Sequence, residues 1–227
     1  LRIVSVREGS AAAKAGLRSG DFIRAIDGKA TRDMSSYEGG RLLHGAQGSK
    51  VMLLIIRGNA ADPHEVTLSR ERPSTTDLAS RMADGSTGYV HVLQFTKDTP
   101  AHLKQTFDTL TKSGAARFII DLRDSASGDV DDGIAAARLF VKSGTLAVKQ
   151  SKGSKEVVTA QSNDGTITSR VVLLVDPGTA GPGEVFAAAL DGNNRAELIG
   201  EHTLGRAARQ QLIKLPDGSG LLLTNVR

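Results

Sequence analysis

The chain has 227 residues, 39% hydrophobic and 24% charged, which suits one or two globular domains at roughly 100–200 residues each. It has no cysteine, which excludes disulfides, thiolate metal sites and a cysteine nucleophile. The net charge of +4 is dispersed, with no Lys/Arg run interleaved with aromatics, so nothing points to nucleic acid, and no apolar stretch approaches the ~20 residues of a membrane span.

Aromatic residues make up only 4% of the chain and Trp is absent, so the core is expected to rest on Leu, Ile, Val and Ala. Residues 1–6 alternate apolar and polar and predict a strand. Ser10 is placed to cap a helix over 11–15, and Gly16 to stop it. Residues 22–26 predict a strand, and Asp27-Gly28 a tight turn. Ser35 is placed to cap a second helix running to about His44. Residues 51–56 read as a buried strand and 65–68 as a shorter one.

Residues 72–86 are rich in Pro, Ser, Thr, Asp and Gly and read as a linker. Beyond it, residues 88–95 predict a strand and 99–111 a helix, with Pro100 acceptable in its first turn. Strands are expected at 118–122, 171–175 and 198–200, and helices at 131–141 and 185–190. Residues 211–215 and 220–224 flank Asp217-Gly218 and read as a hairpin. Strands alternating with helices argue for a mixed α/β core.

The run Glu8-Gly9-Ser10-Ala11, Ala15-Gly16-Leu17, Gly20-Asp21-Phe22-Ile23 and Ile26-Asp27-Gly28 resembles the PDZ domains of bacterial proteases. The resemblance implies a small β-barrel with two helices over residues 1–71. It also implies that the carboxylate-binding loop and groove strand precede residue 1, so the chain is expected to extend upstream. One groove wall would remain, the helix carrying Tyr37, Arg41 and Leu42. Such domains add a peptide as an extra strand.

Residues 87–227 resemble the core of the carboxyl-terminal processing (tail-specific) serine peptidases. Gly88-Tyr89-Val90, Asp121-Leu122-Arg123, the strand at 172–176, Arg195-Ala196 and Ile199-Gly200-Glu201-His202-Thr203-Leu204-Gly205 carry the likeness. It implies an α/β core of ClpP/crotonase-like architecture, no cofactor and no metal. Family members act on polypeptide C-termini or unfolded segments, often form homo-oligomers, and are exported, typically to the bacterial periplasm or cell envelope.

The departures fall on the chemistry. The family's Gly-Ser-Ala-Ser-Ala-Ser-Glu reads here Gly178-Thr179-Ala180-Gly181-Pro182-Gly183-Glu184. The nucleophilic serine thus corresponds to Gly181, the catalytic lysine to Arg206 and the helper glutamine to Gln210. Gly181 has no side chain to attack with. Arg206 stays charged and cannot serve as a base. Pro182 has no N–H to offer an oxyanion, and of the family's Asn-Asn-Pro-Gly-Gly loop only Gly128 persists, with Ser127 in place of a glycine.

The expectation is therefore a noncatalytic, peptide-binding homologue. Two alternatives stand beside it. One is an active serine-type peptidase with a displaced nucleophile such as Thr179, paired with His202; Ser125 and Ser127 are further hydroxyls. The other is a plain PDZ-type interaction module. Arg206 is expected to pair with Glu184 or Glu201. Asp129, Asp131 and Asp132 are expected to complement a helix N-terminus rather than hold a cation.

Overall fold

The structure, a computed structural model, describes residues 1–58, 63–72 and 75–226. Two compact units form: Leu1–Thr75 with Gln210–Leu223, and Thr76–Arg209 with the residues from Thr224 onward. Among the described residues no helix is long and apolar enough to cross a membrane.

In the first unit, Ser10 Oγ accepts the Ala13 N–H at 3.2 Å and caps α1 (Ala11–Lys14). The Asp27-Gly28 turn joins β1 (Phe22–Ile26) to β2 (Lys29–Ala30), pairing Ile26 with Lys29. Ser35 Oγ accepts the Glu38 N–H at 3.1 Å and starts α2 (Ser36–Leu43). With β3 (Lys50–Ile56) and β4 (His64–Ser69) the strands form one antiparallel sheet in the order β2-β1-β3-β4. Ile26, Leu53 and Ile55 are its most deeply buried residues.

Residues 1–6 do not form the expected strand. Only Arg2 bridges to Phe22. Ile3 spends its N–H on the Asp21 carbonyl and its carbonyl on the Gly20 N–H, so it binds a loop and not a ladder. Asp21 itself is 1% exposed and takes Arg57 Nε and Nη2 at 2.8 Å each, plus the Arg18 N–H at 2.9 Å. Arg57 holds its carboxyl below the usual range, against the opposing effect of burial. The Gly-Asp pair of the sequence pattern is thus the anchor of the loop between α1 and β1.

The second unit is built on a five-stranded sheet. Its elements are β5 (Leu78–Met82), β6 (Thr87–Val92), α3 (Thr99–Lys112), β7 (Arg117–Asp121), α4 (Val130–Ala137), β8 (Thr145–Ser151), β9 (Ser154–Thr159), β10 (Arg170–Val175), α5 (Pro182–Gly192) and β11 (Ala196–Gly200). The order is β11-β10-β7-β6-β5, parallel except for β5. β8 and β9 pair separately as a hairpin.

The expected linker at 72–86 is corrected here: within it, β5 pairs along β6 from Leu78–Val92 to Met82–Gly88. Leu-Ala-Ser-Arg-Met has no β-branched residue, so propensity gives no hint of an edge strand that long-range pairing creates. Residues 73 and 74 of that stretch lie outside the described residues. The helix expected at 131–141 ends at Ala137, and the one expected at 185–190 begins earlier, at Pro182.

Few as they are, the aromatics are concentrated. Phe107 stacks on Phe118 at 4.1 Å and meets Phe140 at 5.3 Å; Phe186 meets Phe140 at 5.6 Å and Phe95 at 5.7 Å. Five of the six phenylalanines therefore share this unit's core with the expected aliphatics.

The predicted hairpin forms as β12 (Arg209–Lys214) and β13 (Gly220–Val226). Most of it groups with the first unit. The reason is local: the Tyr37 ring of α2 lies so close to Gly220 that a Cβ there would be 2.8 Å from it.

Candidate active site

Three loops leave the C-terminal ends of neighbouring parallel strands, where open α/β sheets commonly place their ligands. After β7 comes the Asp121-Leu122-Arg123 turn. Asp121 is 1% exposed, accepts the Tyr89 hydroxyl at 2.6 Å, and takes Arg123 Nε at 2.9 Å and Nη2 at 2.6 Å. Burial pushes this carboxyl up, but the Arg123 and Tyr89 bonds outweigh it and leave it below the usual range. Burial and then the Asp121 carboxylate push the Tyr89 phenol up to about 12.

The loop then turns back on the segment after β10. The Asp124 N–H donates to Asp176 Oδ1 at 3.1 Å, and the Ala180 N–H to the Ser125 carbonyl at 3.1 Å. Gly128 sits at φ 124, and a Cβ there would fall 2.2 Å from the Phe95 carbonyl oxygen, so only glycine fits. Ser127 accepts the Phe95 N–H at 2.8 Å through its carbonyl and is a backbone anchor.

Gly181 heads α5 with φ 55 and ψ −114, a strained turn of the kind that exposes a nucleophile between a strand and a helix. A Cβ at this position would meet nothing within 4 Å. Pro182 occupies the first turn of α5 and is buried.

Glu184, 8% exposed, joins this turn to the segment after β11. Its Oε2 accepts the Gly181 N–H at 2.9 Å and the Arg206 N–H at 2.8 Å, while Oε1 accepts the Gly205 N–H at 2.5 Å. One carboxylate oxygen therefore holds positions 181 and 206 side by side. The contact between Glu184 and position 206 runs through the main chain, whereas the sequence had suggested a side-chain ion pair. Arg206 itself is exposed.

Thr179, the alternative nucleophile, is fully buried. Its Oγ1 donates to the Leu122 carbonyl at 2.8 Å and accepts the Asp176 N–H at 3.1 Å. That hydroxyl ties two loops together. His202 lies exposed in the loop before Arg206. Ser125 is also fully buried, and its Oγ finds no partner among the described residues.

The acidic cluster caps α4, as expected, and does more. Asp129 accepts the Asp131 N–H at 2.9 Å. Arg209 Nη2 then pairs with Asp129 at 2.7 Å and with Asp131, and Lys149 Nζ meets Asp131 at 2.5 Å. Burial raises Asp129, but Arg209 outweighs it and sets its carboxyl below the usual range; Lys149, then Arg209, do the same for Asp131. The chain following Arg206 is thereby fastened to the start of α4.

Sequence reasoning missed a cavity of about 510 Å³ beside Glu184. Ile134, Leu146, Val185 and Leu198 give it apolar walls, with Lys149 and Arg209 also lining it. β8, which supplies Leu146 and Lys149, carried no sequence signal strong enough to place it. Gln210 is the second residue of β12 and is exposed. In the first unit, Tyr37 and Arg41 stand one turn apart on α2, while Leu42 packs partly buried against that unit's core. Among the described residues no group of three or more His, Cys, Asp or Glu is placed to hold a metal.

A family model described as Peptidase family S41 matches residues 86–227, and one described as PDZ domain matches residues 2–57. The carboxyl-terminal-processing protease of Synechocystis sp. is 35% identical over 99% of this chain and 53% of its own length. The carboxy-terminal processing protease CtpA of Bacillus subtilis is 34% identical over 98% of this chain and 48% of its own. The chloroplastic carboxyl-terminal-processing peptidase 2 of Arabidopsis thaliana is 32% identical over all of this chain and 46% of its own. The chain thus spans about half the length of these relatives. Among solved structures, a photosystem II D1 C-terminal processing protease matches with a TM-score of 0.88 at 29% identity, over 100% of this chain and 62% of that one.

Proposed function

This chain belongs to peptidase family S41 and carries a PDZ domain, and we propose that it is a noncatalytic member that binds polypeptide C-termini or unfolded segments. One observation carries the reading. Glu184 holds positions 181 and 206 together through main-chain N–H groups alone, and the side chains at those positions are absent and permanently cationic. A hydroxyl nucleophile and a neutral base are both required for Ser/Lys chemistry, and glycine with arginine supplies neither. Pro182 further removes a donor next to the place where an oxyanion would develop. The buried, bonded hydroxyl of Thr179 speaks against a displaced nucleophile.

The apolar cavity beside Glu184 supports peptide binding, since it offers walls for a side chain next to the turn at 181. Tyr37 and Arg41 of α2 are the proposed contacts in the PDZ domain. An exported or envelope location is the corresponding proposal, supported by chloroplastic and bacterial processing proteases among the relatives; recovery of the protein in the cytoplasmic fraction of its host would rule it out.

The test is a casein degradation assay and a fluorophosphonate labelling of the wild type beside the Gly181→Ser/Arg206→Lys variant. The wild type is expected to be silent in both. Inhibitor-sensitive cleavage or labelling by wild-type protein free of contaminants would overturn the reading. Capture of unfolded casein by the silent wild type, weakened by Leu198→Asp in the cavity wall, is the positive counterpart.

A further inference from the structure

The opposite end of the second unit's sheet has no part in the site at 181 and 206. There β7 begins with Arg117 and β10 with Arg170, and the parallel register sets the two directly opposite each other. Like charges in that relation destabilise a sheet. The same two residues line a cavity of about 720 Å³.

Their surroundings offset them only in part, since Asp84 and Glu197 face three arginines in the lining. Arg117 Nε donates to Thr87 Oγ1 at 2.9 Å, which fixes its direction, and its Nη2 stands 3.9 Å from Asp84. Asp84 is already engaged by the Ser86 N–H at 2.8 Å and the Thr87 hydroxyl at 3.0 Å. Arg170 is exposed, and its guanidinium has no ion-pair or hydrogen-bond partner among the described residues. A third guanidinium, Arg195, also lines the cavity and is held on the carbonyls of Phe140, Ile167 and Ser169 at 2.7–3.2 Å. Glu197, the other acid in the lining, is in register with Val172, two residues along β10 from Arg170. Ile119 and Val172 follow Arg117 and Arg170 at the two-residue repeat of one sheet face, so the cationic row adjoins a half-buried apolar surface.

We propose that this cavity binds a small organic oxyanion, a carboxylate or phosphate monoester carried on an apolar body. Arg170 and Arg117 grip the anion, and Ile119 and Val172 receive the apolar part. Guanidinium forks suit planar or tetrahedral oxyanions, which they can hold by two parallel bonds. Binding relieves the repulsion between the two arginines, so occupancy also steadies the β7–β10 pair. This inference stands independently of whether the site at 181 is catalytic.

The experiment is calorimetric titration of the full chain at low ionic strength with phenyl phosphate, phenylacetate, inorganic phosphate and benzyl alcohol. The two aromatic anions should bind, with benzyl alcohol at least tenfold weaker. Arg170→Gln and Arg117→Gln should each weaken the anions at least tenfold, while Lys152→Gln, in the exposed turn between β8 and β9, leaves them unchanged. Arg170 is exposed, so its variant should fold, and thermal unfolding provides a second readout: phenyl phosphate raises the Tm of the wild type and not of Arg170→Gln. Undetectable binding of both aromatic anions, or binding that Arg170→Gln does not alter, overturns the site. Equal affinity for inorganic and phenyl phosphate overturns the apolar half of the assignment.

Discussion

Removing the Glu184 carboxylate should loosen the candidate site more than the fold. In Glu184→Ala, the N–H groups of Gly181, Gly205 and Arg206 lose their common acceptor. Hydrogen bonds to a charged group contribute about 1.5–3 kcal/mol each. Their full sum is not expected, because Gly205 and Arg206 are exposed and water can replace the carboxylate there. The buried part of the loss is the Gly181 bond and the acid at the helix N-terminus, so the net cost should be about 2–4 kcal/mol. Glu184→Gln keeps one acceptor oxygen and should cost roughly half as much. Urea denaturation measures the total, and amide hydrogen exchange locates it. Exchange at 181, 205 and 206 should accelerate while the amides of β7 and β10 stay protected. A stability change below about 0.5 kcal/mol, with exchange at those three amides unaltered, would show that Glu184 does not join the two loops.

Three further outcomes rest on other contacts. If Pro182 deprives the site of an oxyanion donor, adding Pro182→Ala to Gly181→Ser/Arg206→Lys should raise casein cleavage or acylation by about 10²–10³-fold; equal rates would remove Pro182 from that role. Asp21→Asn should destabilise the first unit by about 2–3 kcal/mol at neutral pH. Its folded pKa is lowered by Arg57, so the contribution is present above pH ~4 and lost as pH falls below it; an unfolding curve with the same acid dependence in wild type and variant would refute this. Of the two tyrosines, Tyr89 should titrate near 12 by ultraviolet difference spectroscopy, and Asp121→Asn should return it towards ~10. The stability Tyr89 contributes is complete below pH ~10 and lost as pH rises through the folded value.

Much of this molecule was legible where a local signal and its structural consequence coincide. Ser10 and Ser35 announced their helices because a cap is a contact between residues three apart. Asp27-Gly28 and Asp217-Gly218 announced hairpin turns for the same reason. β5 was not legible, because it is a strand only through its pairing with β6. β8 and β9 escaped similarly, as short, largely polar strands that pair with each other and bury little beyond Leu146. At the candidate site, the order of motifs singled out Gly181, Pro182 and Arg206. The role of Glu184 could be suspected as an ion-pair partner, but its use of three main-chain donors depends on two loops meeting. No residue identity encodes that.

The backbone at position 181 gives the last prediction and a physical reason for its residue. At φ 55 and ψ −114, a side chain is strained even though the space around a Cβ is open. Such conformations cost about 1–3 kcal/mol for a residue other than glycine. Part of that is offset because glycine loses more chain entropy on folding, worth about 0.4–1 kcal/mol. Gly181→Ala and Gly181→Ser should therefore each destabilise the chain by about 1–2 kcal/mol in urea titration, and by similar amounts, since the cost lies in the backbone and not in the hydroxyl. Alanine that proved neutral or stabilising would mean the turn relaxes freely and stores no strain. A serine at this turn is maintained at the expense of stability, a trade that active sites commonly make. On the proposed reading, glycine gives up the nucleophile and the strain together, while Glu184, binding only main-chain groups, keeps the turn in place whichever residue stands there.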